Sequence, residues 1–123
     1  TAGATGLNLI VAMSYSSRWE ITEAAKKLAS DIVEGKTVPD NITDHDFEKY
    51  LTTRGIPDPE LMIRTSGELR ISNFLLWQIA YAELYFTEKL WPDFSKEEFY
   101  KAIIDFQKRE RRFGKTSEQL LEK

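Results

Sequence analysis

The order in which two periodicities occur constrains this chain more than any other feature. Leu7, Leu9, Ile10, Val11 and Met13 fall in a near-continuous apolar run, the pattern of a strand covered on both faces. A helical period follows at once. Ile21, Ala24, Ala25, Leu28 and Ile32 recur on one stripe; Ser17 and Glu20 before it are spaced as a capping box, and Gly35 ends it. The alternation then repeats. A short helix is expected near Thr43, with Phe47, Tyr50 and Leu51 inward and a stop by Gly55. Pro57 and Pro59 extend the chain toward Leu61-Met62-Ile63, a second buried strand. The segment from Ser72 to about Ala82 is apolar nearly all round and reads as a buried helix. Leu84-Tyr85-Phe86 reads as a third, short strand. Ser95 and Glu98 make another capping box, with Phe94 and Phe99 as a hydrophobic staple, before a helix carrying Ala102, Ile103 and Phe106. Strands alternating with helices predict an α/β fold with a mainly parallel sheet flanked by helices.

The totals narrow the function classes. A chain of 123 residues suffices for one small domain with a core. With 17 basic and 20 acidic side chains the net charge is −3, which argues against non-specific nucleic-acid binding. No cysteine is present, so a disulfide framework and thiolate metal sites are excluded, and a reducing, cytoplasmic setting fits. No signal peptide is visible, and the uncharged run that most suggests a membrane span, Ile71 to Ala82, is too short to span a bilayer. The chain opens on "TAGATGLNLIVAM" and enters an apolar run within a few residues, so a start inside a larger fold is expected. Eleven of the fifteen aromatics lie at or after Phe74. That apolar mass is expected to be covered by further parts of the fold or by a second subunit.

Between the second strand and the apolar segment stands "IRTSGELRISNF", residues 63 to 74. In open parallel sheets, ligands bind beyond the carboxyl ends of strands. Arg64 and Arg70 offer two guanidinium forks that match phosphate oxygens. Ser72 adds a hydroxyl where a helix is expected to open, and helix starts favour anions. A phosphate or diphosphate pocket is one reading. The other is local: Arg64 and Arg70 pair with Glu60, Glu68 or other carboxylates, and Ser72 merely caps the helix. Spacing alone leaves both open.

The same residues carry a resemblance. "IRTSGELRISNFLLWQIAYAELYF", followed by "WPDF" and "RERRFG", resembles the C-terminal half of the cis-prenyltransferases, closest to the undecaprenyl diphosphate synthases. "TAGATGLNLIVAMSYSSRWEI" is similar to the middle of the same family, so the resemblance covers nearly all of the chain except about 33 to 55. It implies the C-terminal part of a single cis-prenyltransferase domain. The implied reaction ionises an allylic diphosphate, such as farnesyl diphosphate, and adds isopentenyl diphosphate. Loss of a proton then leaves a cis double bond in a long, undecaprenyl-class diphosphate that serves as a cell-wall precursor. By resemblance, Arg64 binds the diphosphate of isopentenyl diphosphate and Arg70, Ile71 and Ser72 line the same site. Glu83 matches a glutamate linked to Mg2+. Arg112 and Gly114 match an R-x-G motif that reaches the active site across a homodimer interface. Peripheral membrane contact would come through the lipid product.

Departures are present too. Ser16-Ser17 stand where the family often has paired glycines, and Leu69 stands where some members carry a histidine. The aspartate of the family's D-G-N-G-R-W pattern, which handles the allylic diphosphate, has no counterpart here, so no catalytic residue is assigned in this chain. The isolated chain is therefore expected to be inactive.

Plainer readings stand beside these. Glu83 would close the apolar helix about 15 Å from Ser72, at ~1.5 Å per residue, so sharing a site with Ser72 would need a partner subunit. His45, between Asp44 and Asp46, reads as a solvated residue, and the tryptophans as core or interface. "KRERR", 108 to 112, reads as a solvated helix end whose cations suit the dipole. A non-catalytic subunit lending its tail to a prenyltransferase partner is the alternative function. An unrelated α/β domain for another phosphorylated ligand is a third.

Overall fold

The computed structural model describes residues 3 to 110, which divide after Thr52 into two compact units. Arg112 and Gly114 lie outside the described residues. Among the described residues no helix is long and apolar enough to cross a membrane.

The first unit is built on α1, Ser17–Val33, and a short α2, Asp44–Glu48. The N-cap of α1 is Ser16, one residue before the expected position, and its hydroxyl accepts from the Trp19 amide. The shift frees Glu20 for another task. Glu20 is 2 % exposed. Its carboxylate accepts from the Tyr15 hydroxyl and from both the amide, at 2.9 Å, and the hydroxyl of Thr52. A buried carboxylate needs such donors, because desolvation without them costs several kcal/mol, roughly. At the other end Gly35 adopts φ +72°, with its amide on the Ile32 carbonyl and the Lys36 amide on the Asp31 carbonyl. This is the Schellman pattern that a left-handed residue after a helix permits. α2 opens with a complete capping box between Thr43 and Asp46. Its follower Tyr50 donates to the Asp31 carboxylate of α1 at 2.8 Å, and Leu51 is buried.

The expected strand at Leu7 to Met13 does not form: the segment has no regular secondary structure and joins no ladder, and Leu7 and Met13 are 88 % and 83 % exposed. A strand is stable only through its pairing, and the strands of the described residues both lie in the other unit.

The second unit holds β1, Leu61–Arg64, and β2, Glu83–Phe86, paired in parallel with Leu61 beside Glu83 and Arg64 beside Phe86. These are the second and third expected strands. α3, Lys96–Lys108, follows and packs on β2 with Ala102 fully buried. Ser95 caps it through the Glu98 amide, but the Glu98 carboxylate turns to Lys101 at 2.6 Å, so the reciprocal half of the box is not made. Phe94 stacks on Trp91 and Phe99 tilts against Tyr100 in place of the expected staple.

The connection from 65 to 82 departs most from expectation. The segment from Ser72 to Ala82 is a succession of turns, with one helical bond from the Ile79 amide to the Leu75 carbonyl. Ser72, Asn73 and Leu75 all have positive φ, 53°, 63° and 48°, which no α-helix accommodates. A helix that is apolar all round must be covered on every side, whereas Tyr81 is 71 % exposed and Phe74 41 %. With uncovered aromatics of only middling helix propensity, packing does not offset the cost of closing the helix. Glu83 consequently opens a strand rather than closing a helix.

Candidate functional site

Arg64 ends β1, and the chain beyond it is held by the exit of β2. The Thr87 amide donates to the Arg64 carbonyl at 2.9 Å, the Ser66 amide to the Lys89 carbonyl at 2.8 Å, and the Gly67 amide to the Thr87 carbonyl at 2.9 Å. Ser66 and Gly67 have φ of 73° and 69°, as the central pair of a type I′ turn requires. Glycine meets that demand without strain, and it also lies close to the Glu88 backbone. The carboxyl ends of both strands thus share one laced platform.

The sequence left open whether the two arginines serve an anion or local carboxylates, and they divide. Arg70 is exposed and forms an ion pair with Glu68. Arg64 is half-buried, and its guanidinium makes no ion pair or hydrogen bond among the described residues. By the pleat its side chain shares a face with Met62, Leu84 and Phe86. A guanidinium flanked by apolar side chains at a strand end is poorly screened and suits a multivalent anion. Ile71 is half-buried and Ser72 exposed, both within the same loop. No helix opens at Ser72, so the platform, rather than a helix dipole, is what could present donors to an anion.

Glu83 belongs to a different place. It pairs with Leu61 at the start of the ladder, while Arg64 stands at its end. Three residues of strand separate the two by about 10 Å, and the pleat turns them to opposite faces. Within one chain they do not meet. The Glu83 carboxylate accepts from Arg109 Nη1 at 2.9 Å, and its amide donates to the Glu60 carbonyl at 2.9 Å.

Mg2+ is the metal that the resemblance implies, and Glu83 is the residue it points to. Among the described residues no group of three or more His, Cys, Asp or Glu side chains could hold a metal. One carboxylate can suffice when phosphates supply the other ligands. Here that carboxylate is already neutralised by a guanidinium, which would also repel a divalent cation. As placed, Glu83 does not fit a resident Mg2+.

Arg109 is the residue that sequence reading missed. The sequence alone groups it with a solvated basic helix end. In the structure its Nε donates to Asp105 Oδ2 at 2.9 Å, Nη2 donates to the same oxygen, and Nη1 reaches both Glu83 and the Leu84 carbonyl. Its pKa is raised, chiefly by the hydrogen bond to Glu83. The available signal was Asp105 four residues earlier on the same helix.

Comparison with known proteins converges on one family. The prenyltransferase family model, whose description names undecaprenyl diphosphate synthase, matches residues 1–114. An isoprenyl transferase of Porphyromonas gingivalis is 55% identical over 98% of this chain and 47% of its own length. A ditrans,polycis-undecaprenyl-diphosphate synthase of Acinetobacter baylyi, (2E,6E)-farnesyl-diphosphate specific, is 52% identical over 98% of this chain and 48% of its own length. Lavandulyl diphosphate synthase from Lavandula x intermedia, crystallised with dimethylallyl diphosphate, superposes with a TM-score of 0.87 at 40% identity, over 93% of this chain and 49% of that one. A probable undecaprenyl diphosphate synthase from Campylobacter jejuni gives 0.69 at 41% identity, over 84% of this chain and 45% of that one. The chain spans about half the length of the curated relatives it matches. On these matches, the α/β chain with Arg64 at the carboxyl end of its parallel ladder belongs to the undecaprenyl diphosphate synthase family of prenyltransferases.

Proposed function

We propose that the protein of which this chain forms part condenses isopentenyl diphosphate with an allylic prenyl diphosphate, farnesyl diphosphate among them, to build a long cis-polyprenyl diphosphate. The observation that carries the reading is Arg64: a half-buried guanidinium at the carboxyl end of β1, with no ion-pair partner among the described residues. The names of the relatives from P. gingivalis and A. baylyi support the substrate class.

In this reaction the allylic carbon–oxygen bond breaks and its diphosphate departs. The terminal carbon of isopentenyl diphosphate forms the new carbon–carbon bond, and a proton is lost. The diphosphate of isopentenyl diphosphate stays on throughout. In this reading Arg64 holds that retained diphosphate by a bidentate contact and so orients the nucleophilic double bond. Arg70 joins it by exchanging the Glu68 carboxylate for a phosphate, with Ser72 as a further hydroxyl donor and Ile71 as apolar lining. Arg112 and Gly114 complete the site from the second subunit of a homodimer. Mg2+ would stabilise the departing diphosphate when bound; no residue of this chain is assigned to it. In this reading the reaction runs in the cytoplasm, and the lipid product would draw the enzyme to the membrane surface.

The test uses the complete protein with farnesyl diphosphate, radiolabelled isopentenyl diphosphate and Mg2+. Label is expected in a long, butanol-extractable product. Its absence at saturating substrate would refute the reading.

A further inference from the structure

The last turn of α3 is joined to the first residues of β2 through one side chain. Arg109 is the C-cap of α3: its amide still reaches the Phe106 carbonyl, while its φ of −82° and ψ of 137° turn the chain out of the helix. At that bend the guanidinium makes four hydrogen bonds, to Asp105 twice, to Glu83 and to the Leu84 carbonyl. A planar fork can satisfy three acceptors placed this way, and an ammonium cannot. The acceptors come from two elements, so the contact fixes the exit of α3 relative to β2. The Glu83 and Arg109 side chains are 26% and 32% exposed, partly withdrawn from the water that would loosen an exposed pair.

Resting on the function proposed above, we infer that Glu83 acts through Arg109 as half of a positioning pair and is not a ligand of the metal. Two observations favour this over metal binding. Glu83 lies about 10 Å along the ladder from Arg64 and on the opposite face, so a cation on it would not touch a phosphate held by Arg64 of the same chain. A divalent cation on Glu83 would also stand beside the guanidinium that now holds it, and binding would require the pair to break. The pair's consequence is directional. It sets where the chain leaves α3 and hence where the residues after Arg109 begin. Neither member touches a reacting atom.

The experiment compares Glu83→Gln, Arg109→Gln, their double variant, Arg109→Lys and the exchange Glu83→Arg/Arg109→Glu in the complete protein. Mn2+ binding is read from the electron paramagnetic resonance of the free ion. Glu83→Gln should bind Mn2+ within about twofold of wild type, as expected for a residue outside the metal's ligand shell. A loss of about tenfold or more in Glu83→Gln, with Arg109→Gln unaffected, would overturn the inference. In steady-state kinetics either single Gln variant should lower kcat about tenfold with the KM for isopentenyl diphosphate within about twofold, a split that separates positioning from binding. The double variant should be no worse than the worse single, since both remove one interaction. The exchange should recover part of the loss and Arg109→Lys should not. Additive losses would overturn the pairing. A wild-type protein that makes no polyprenyl product would sink the functional reading alone; the Mn2+ comparison would still decide the role of Glu83.

Discussion

Removing the Arg64 guanidinium is the most direct intervention at the scale of one residue. Arg64→Ala should weaken isopentenyl diphosphate binding to the complete protein by about 2–4 kcal/mol, because a charge-assisted contact is lost and the ligand charge is left unpaired. Lysine should restore only part of this, since it cannot bind two oxygens in a plane. Titration calorimetry measures both, and unchanged affinity in Arg64→Ala would remove it from the site. A second prediction concerns Asp31. The Tyr50 hydroxyl, and after it Lys36, hold its pKa below the ordinary value of 3.8. A lowered carboxylate pKa means the contact's stabilisation is fully present above the unfolded value and is lost as pH falls through the folded value. Tyr50→Phe should therefore let the Asp31 pKa rise toward 3.8 in a carboxyl-carbon NMR titration. No movement would show that Tyr50 is not the cause.

Elements in this chain are closed by local chemistry. The left-handed Gly35 ends α1 and lets the Gly35 and Lys36 amides cap its last carbonyls. Nothing stands within 4 Å of an added Cβ there, so a substitution is charged for conformation alone. Gly35→Ala should cost about 1–2 kcal/mol, read as a lower denaturant midpoint at constant slope. An unchanged midpoint would mean that α1 can end another way. Local rules served the sequence reading well for α1, β1, β2 and α3, since periodicity and caps lie within a few residues. They failed between Ser72 and Ala82. There the apolar content is helical in amount, but of residues 72 to 82 only Gln78 and Ile79 are buried while Phe74, Leu76 and Tyr81 stay exposed, and turns with positive φ replace the helix.

For the molecule as a whole, the exposed run from Leu7 to Met13 is a strand's worth of unpaired backbone and apolar side chains. Such a segment invites association. Purified residues 1 to 123 should form oligomers at micromolar concentration and leave labelled isopentenyl diphosphate unconverted. A soluble monomer by light scattering, or label in a long product, would contradict this. The complete protein should scatter as a homodimer, and full activity in a monomer would contradict the proposed sharing of a site between subunits.

What the sequence determined by itself was whatever depends on near neighbours: the strands at Leu61 and Leu84, the long helix before Gly35, the helix after Ser95, and the grouping of Arg64 at a strand end with Arg70 and Ser72 in the loop that follows. Motif similarity added the family. Only tertiary structure could place Glu83 at the head of β2, because parallel pairing joins it to Leu61 across 22 positions of chain. The same holds for Arg109, whose partners Glu83 and Leu84 lie 26 and 25 residues away. It also separated Arg70, held by Glu68, from Arg64, left available for an anion. Charge pattern names the candidates for an ion pair. Which pair forms depends on distances that the folded backbone sets, and those vary with strand register and helix exit rather than with local propensity.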